Sequence, residues 1–447
     1  MIFDEFKNLV IENAKKLGIT EYDLLCSSGV STSIFAFNGE IDSYSDQTTI
    51  GVGFRCIVNG KIGSSHTQLL NEDEAMRIVR DAKDSSEIIG SEDFVEIFAG
   101  SDKYTEIPKP KDIPCDVKLL KQTALDIENY CKNADNRVVS VPYSVAEYSK
   151  GETALFNCHG LDLKSDGTYY VAVCQVVLEE DGRKYIGTKS QIKNTQSELD
   201  PKYIAEEAVK KAVKTIGGSS VKSGEYPVVF QNDMMSSVFE AFAGVFSADA
   251  AQKGLSLLDG KEGEQIAAPI VTLADDPLYP ESPIKFAFDG EGVATYTKNI
   301  IENGILKTLV YDLKSAKKTG KSSTGNGRRG SYSSPVGVGV YNLVMKPGEL
   351  SYDDLIKKAD NGVLITELKG LHSSSDSTSG DFSLEAKGFV IENGKISRPA
   401  ELFTVAGNFF DLMKNIDGIS NDSVMDDSMN VFPSVLVSKL SVAGENN

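Results

Sequence analysis

Histidine is scarce in this 447-residue chain: only His66, His159 and His372 occur, and no two of them are close in sequence. Zinc sites need imidazole, thiolate or carboxylate donors at converging spacings, so a histidine-rich metal centre is excluded. Cysteine is sparse as well. Cys26, Cys56, Cys115, Cys131, Cys158 and Cys174 form no C-x-x-C pair, and none follows Cys174. The N-terminus, Met-Ile-Phe-Asp-Glu-Phe-Lys, is acidic and amphipathic rather than a secretory signal. The six thiols therefore read as reduced and mostly buried in a cytoplasmic protein. No apolar run approaches the roughly 18 residues of a membrane span. The densest, Tyr169 to Leu178, has strand length. Positive charge is also short: 46 Lys and Arg face 65 Asp and Glu, for a net charge of −19. Such a surface repels phosphate backbones and anionic lipid, which argues against direct nucleic-acid or membrane partners.

What is present suits a sizeable soluble core, with 40% hydrophobic and 25% charged residues. Phe6, Leu9, Val10, Ala14 and Leu17 have helical spacing behind Asp4 as a cap. Asn38-Gly39 and Asn59-Gly60 sit between alternating segments and read as hairpin turns. Helices are expected at 72–87 and 115–133, and strands at 137–148, 152–157 and 168–179, with Asp181-Gly182 turning into Tyr185–Thr188. Asp200 caps a helix to about Ile216, with Pro201 first, lysines at its end and Gly217-Gly218 after it. The polar stretch 217–224 behaves as a linker. It divides the chain into an N-terminal domain (1–221) and a C-terminal domain (222–447). In the second, a strand at 226–230 and an apolar helix at 233–252 precede strand-dominated sequence. That sequence includes Ile-Glu-Asn-Gly turns at 301–304 and 391–394, a helix at 352–359 and a closing strand at 435–442. The fold class is α+β: a mixed helix and antiparallel-strand domain, then a mostly antiparallel partial barrel with a helix near its start.

Several constellations could carry chemistry. Cys158-His159 is adjacent, but strand neighbours point to opposite faces, so the pair reads as buried structure rather than an ion site. Ser315–Ser322 matches the end of a phosphate-loop pattern yet lacks its first glycine, and the glycines after it cannot start a helix. Between Gly320 and Val340, six glycines surround Arg328 and Arg329. Such a loop is either a solvated basic loop or one that holds peptide carboxylates or carbonyls. His372–Asp381 contains serine, histidine and aspartate, but contiguous in one loop and without a G-x-S-x-G elbow, so it reads as a polar contact loop rather than a triad. Glu240 reads as the polar face of the 233–252 helix.

Taken in order, these residues resemble the TldD/PmbA family, once described as modulators of DNA gyrase. The similar segments are Phe288-Asp-Gly-Glu-Gly-Val-Ala-Thr295, Ile300–Lys307, Tyr311-Asp312, Ala316–Gly320, Ser323–Asn326, Ser379–Ser383, Gly388–Gly394 and Thr404–Asn408. The resemblance covers about 200 residues of the second half. It implies a metalloprotease of two related subunits, in which the TldD-type subunit carries H-E-x-x-x-H on a helix and a distant cysteine as zinc ligands. Here Phe239 and Gly244 stand where the histidines would be, only Glu240 agrees, and the cysteine is missing. The closer likeness is to the PmbA subunit, also called TldE. It implies a non-catalytic subunit with no metal of its own, Glu240 vestigial, and zinc in a TldD-type partner. The expected ligand is unfolded peptide, which can add to a strand edge through main-chain hydrogen bonds. Arg328, Arg329, Tyr332 and His372 are the expected peptide or partner contacts. The alternative is a stand-alone homodimeric binding protein of the same fold. A metal-free hydrolase using Glu240 is the third reading.

Overall fold

The computed structural model describes residues 1–88, 96–108 and 114–444. The first half runs α1 (Phe3–Lys16), β1 (Glu21–Phe37), β2 (Glu40–Val58), β3 (Lys61–Thr67), α2 (Glu72–Ile88), α3 (Val117–Ala134), β4 (Val138–Asn157), β5 (Asp162–Glu180), β6 (Arg183–Lys193) and α4 (Pro201–Lys214). Its strands form one antiparallel sheet in the order β3-β2-β1-β4-β5-β6. Asn38-Gly39, Asn59-Gly60 and Asp181-Gly182 make the hairpin turns, all six residues at positive φ, as such two-residue turns require. The expected strands 137–148 and 152–157 are one strand, β4, because Gly151 pairs with Gly29 and Gly167 instead of breaking the ladder. Asp200 accepts from the Tyr203 N–H at 2.9 Å, as a cap should. At α1 the cap position is Ile2, and Asp4 lies in the first turn where its charge meets the helix dipole.

The period-two alternation of β1 separates two faces. Leu24, Cys26, Ile34 and Ala36 bury one face under the helices. The first two pack with α1 and α2, the last two with α3 and α4. The other face carries Asp23, Leu25 and Ser27. Among the described residues, Phe288 of the second half packs on it beside Tyr104 and Leu161.

That half continues with β7 (Gly224–Phe230), α5 (Asn232–Ala241), α6 (Ala248–Gln252), β8 (Leu273–Asp275), β9 (Lys298–Glu302), β10 (Ile305–Leu306), α7 (Leu313–Lys318), β11 (Gly327–Arg328), β12 (Gly337–Val338) and β13 (Leu343–Met345). Then come α8 (Tyr352–Ala359), β14 (Gly362–Lys369), β15 (Asp381–Glu392), β16 (Lys395–Asn408), α9 (Phe409–Lys414), β17 (Ile416–Ile419), β18 (Val424–Met425), β19 (Val431–Phe432) and β20 (Val435–Ala443). Strands β16-β15-β14-β7-β20 form a sheet that the β16–β20 pairing closes into a five-stranded barrel. A smaller sheet, β10-β9-β8-β13-β19-β18, stands beside it. Pairing is antiparallel except for β7–β14 and β13–β19. Among the described residues no helix is long and apolar enough to cross a membrane.

The helix expected over 233–252 is not continuous. α5 ends at Ala241, a 3₁₀ turn spans Ala243–Phe246, and α6 follows. The break lets Phe239, Phe242 and Phe246 converge on Phe409, with ring centroids 5.2, 4.6 and 6.5 Å from it. Tertiary packing of four rings outweighs the few hydrogen bonds that a straight helix would keep. Phe409→Ala should therefore destabilise the fold by about 3–5 kcal/mol, read as a lower urea midpoint with unchanged slope.

Candidate functional site

The Asp23 face of the N-terminal sheet meets the glycine-rich segment 325–341 of the second half. Contact begins with charge. Asp23 and Arg55 are cross-strand partners, and the Arg55 Nε donates to Asp23 at 2.9 Å. Arg329, 306 positions further along, donates from Nη2 to both Asp23 oxygens at 2.8 and 3.0 Å. All three side chains are buried, with 4, 11 and 2% exposure for Asp23, Arg55 and Arg329. Next to this clamp, Tyr332 lies on β2. Its ring covers Gly51 and its backbone covers Gly53, so closely that a Cβ at either glycine would overlap it. These two glycines are what let the loop reach the sheet. His66 approaches the same ring edge-on at 6.0 Å.

The middle of the 320–340 segment is packed rather than solvated. Thr324, Gly325, Asn326 and Gly327 are buried. Asn326 donates to Asp275 at 2.7 Å, and the Gly327 N–H donates to Asp289 at 2.8 Å. Arg328 is held between rings, its guanidinium carbon 4.2 Å from the Tyr341 centroid and 5.5 Å from Phe286.

Two cavities flank Arg329. One, about 310 Å³, is lined by Arg55, His66, Glu291, Asp312, Arg329 and Tyr332 among others. The other, about 360 Å³, is a groove whose floor is the sheet itself. Cross-strand rows set that floor: Ser27, Thr153 and Ser165 in one row, then Gly151 with Gly167, then Ser149 with Tyr169. Phe286, Arg328 and Tyr341 form the opposite wall. Small polar residues and glycines on one side, with rings and a guanidinium on the other, leave room for an extended main chain and supply hydrogen-bonding groups along it.

Carboxylates collect beneath the first cavity. Burial pushes Glu291 up to about 8, with the Asp289 charge adding to the effect and Arg55 opposing it. Asp289 is pushed up to about 6 by burial, although it accepts N–H groups from Glu291, Val293 and Gly327. Glu291 takes the Leu313 N–H at 2.9 Å, and Asp312 caps α7 through the Ser315 N–H at 2.7 Å.

The helix that the resemblance compares with a zinc-binding one lies elsewhere. Phe239 is fully buried, 5.2 Å from Phe409 and 5.1 Å from Phe432 by centroids. Glu240 faces solvent and accepts from Ser428 Oγ at 3.0 Å. Gly244 lies beyond the helix end, in the 3₁₀ turn. A phenyl ring turned into the core and a bare backbone offer zinc no donor, so these residues do not fit the metal. Nearby, burial pushes Asp426 up to about 6. It bonds to Ser236, which leaves a polar patch but no ligand set.

Of the residues singled out from sequence, the structure places Tyr332 on the first cavity, Arg328 on the second and Arg329 on both. It places Glu240 on α5, and His372 exposed on the β14–β15 loop, lining neither cavity. The segment that begins at Ser315 forms the end of helix α7, not a phosphate loop. Cys158 and His159 lie past the end of β4, in a turn, so strand alternation does not separate them; Cys158 is half-buried and His159 exposed. Asp23, Arg55 and Glu291 escaped sequence reasoning. Only Glu291 carried a signal, through its place in the Asp-Gly-Glu-Gly segment.

A helix-backed sheet docked on a closed barrel, with a polar cleft between, defines an α+β protein built around a groove. The chain belongs to the PmbA/TldA metallopeptidase family: models of that family's domain 1, central domain and C-terminal domain match residues 22–86, 108–216 and 223–444. A Thermotoga maritima crystal structure, labelled a candidate modulator of DNA gyrase, is 34% identical and superposes with a TM-score of 0.89 over 99% of this chain and all of that one. TldE from Thermococcus kodakarensis is 26% identical, with a TM-score of 0.89 over 98% of this chain and 99% of its own. The metalloprotease TldD homolog of Buchnera aphidicola is 27% identical over 433 residues, 92% of this chain and 87% of the relative. The chain is thus similar to relatives of both the TldE and the TldD type.

Two measurements test the cleft. Arg329→Met leaves Asp23 with half its partners and should cost about 3–5 kcal/mol in urea denaturation. Glu291 should make stability fall with rising pH. A carboxyl raised to about 8 in the fold and lying near 4.3 in the unfolded chain binds more protons when folded between those values. The wild type should lose stability from pH 5 to pH 8 relative to Glu291→Gln, whose own dependence is flatter.

Proposed function

We propose that this chain is the non-catalytic, PmbA/TldE-type subunit of a two-subunit metalloprotease, holding unfolded peptide while a zinc-bearing TldD-type partner cleaves it. One observation carries the reading: Glu240 is flanked by Phe239, buried in an aromatic core, and by Gly244, with no donor at either position. The peptidase chemistry of the family then has to come from another chain. Catalytic zinc is assigned to that partner, not to the α5 region.

The cleft supports the peptide-holding role. An extended peptide over the Ser27–Thr153–Ser165 row would exchange main-chain hydrogen bonds with hydroxyl groups that accept and donate alike. Recognition of this kind reads backbone more than side chains, which suits unfolded substrates. Arg328, which lines this groove, is assigned to peptide, and Tyr332, on the other cavity, to peptide or partner. Arg329 acts by holding the cleft together, because its guanidinium is committed to Asp23. His372, outside the cleft on an exposed loop, is assigned to the partner subunit. The protein is assigned to the cytoplasm, where its cysteines would stay reduced.

The experiment is cleavage of an unfolded protein by this chain alone, by a TldD-type subunit alone, and by both. Alone, this chain should be inactive; together, cleavage should rise at least tenfold over the partner alone. Glu240→Gln in this chain should leave the combined rate within about twofold. Cleavage that does not need this chain, with a homodimer that ignores the partner, would favour a stand-alone binding protein. Activity of the lone chain, lost in Glu240→Gln, would make it a hydrolase.

A further inference from the structure

Outside the cleft, one cluster remains unused by the reading above. β1 begins at Glu21, and β4 ends at Asn157 beside it. Asn157 fixes the turn that follows: its Oδ1 accepts the N–H groups of His159 and Leu161 at 3.0 and 3.1 Å, and its Nδ2 donates to the Phe98 carbonyl at 2.6 Å. The Cys158 N–H donates to the Tyr22 carbonyl at 3.0 Å, and the Tyr22 N–H points back at Cys158 Sγ at 3.5 Å. Cys158 and His159 are therefore held on rigid backbone, and both side chains turn to Glu21. One carboxylate oxygen, Oε2, lies 3.2 Å from His159 Nε2 and 3.7 Å from Cys158 Sγ. All three donor atoms fall within 4.8 Å of one another.

The distances from Glu21 to His159 and to Cys158 are close to those of a metal polyhedron. A tetrahedral zinc ion with bonds of about 2.0 Å to nitrogen or oxygen and about 2.3 Å to sulfur sets its donors about 3.3 to 3.5 Å apart. The donor types agree: thiolate, imidazole and carboxylate together suit borderline-soft Zn²⁺ rather than Mg²⁺ or Ca²⁺, which take oxygen alone. The Tyr22 N–H supplies the outer hydrogen bond that metal-bound sulfur usually accepts. His159 and Glu21 side chains are 35% and 42% exposed, so the ion has an entry path and water can take the fourth position.

We propose that Glu21, Cys158 and His159 form a zinc-class binding site in the N-terminal half, with one coordination position open to solvent. The site stands apart from the α5 region and does not depend on the function proposed above. An ion here ties the start of β1 to the β4–β5 turn, two residues from Asp23.

The test is titration of the apo, reduced full-length chain with Co²⁺, followed by Zn²⁺ competition. One equivalent of Co²⁺ should give a thiolate charge-transfer band and the visible bands of a tetrahedral ion, both removed by Zn²⁺. Cys158→Ser should abolish the charge-transfer band, and His159→Ala should weaken Co²⁺ binding at least tenfold. Cys115→Ser, which alters another half-buried thiol, should leave both unchanged. A weak octahedral spectrum indifferent to Cys158→Ser would overturn the site. Tight binding lost in Glu240→Gln but kept in Cys158→Ser would overturn it too, and would separately contradict the proposed function. Circular dichroism of the apo variants checks that each remains folded.

Discussion

One carboxylate holds the two halves of the molecule in register. Asp23 is shared by Arg55, its neighbour in the sheet, and by Arg329, carried in on a loop from the barrel side. Removing three charges from water is costly, and only close, multiple hydrogen bonds offset that cost. Such an arrangement tolerates little displacement. It fixes where the loop lands, and the loop landing there brings Tyr332 over Gly51 and Gly53, Arg328 against Tyr341, and the backbone of Gly327 onto Asp289. Arg329 lines both cavities.

The same burial explains the unusual acids. Asp289, Glu291 and Asp312 sit close together because the backbone turns around them need acceptors for their N–H groups. Enclosure then disfavours charge, and Glu291 holds its proton near neutral pH. The Asp-Gly-Glu-Gly segment thus works here as a carboxylate frame where the two halves of the chain meet. Meanwhile the helix that corresponds to the zinc-binding one of the TldD-type subunit turns Phe239 inward, into a ring cluster that also decides where α5 ends.

Local structure was legible at many points where the cause is local, though not at the α1 cap or within β4. Asn-Gly and Asp-Gly turns, the Asp200 cap, the alternation of β20 and the antiparallel, barrel-like second half all follow from short-range rules that the structure obeys. Two kinds of feature were not legible. The first is competition between local preference and distant packing. The helix expected over 233–252 breaks because Phe409, far along the chain, collects its phenylalanines. The second is pairing at long range. Nothing near Arg329 in sequence points to Asp23, and nothing near Cys158 points to Glu21. The alternation rule that separated Cys158 from His159 fails because the strand stops at Asn157, one residue too early for it to apply. Loop composition singled out Arg328 and Arg329, but not that Arg329 would meet Asp23 and Arg328 the Tyr341 ring.

Peptide seated between the sheet floor and the arginine-bearing loop is the feature on which the proposed role turns, and photo-crosslinking tests it most directly. A photoreactive phenylalanine analogue is placed at Tyr169 in the groove or at Ser373 on the outer loop, and each protein is mixed with the TldD-type subunit and a labelled unfolded peptide. Peptide crosslinks are expected from position 169 and none above background from position 373. Crosslinks from 373 with none from 169 would contradict the proposed role.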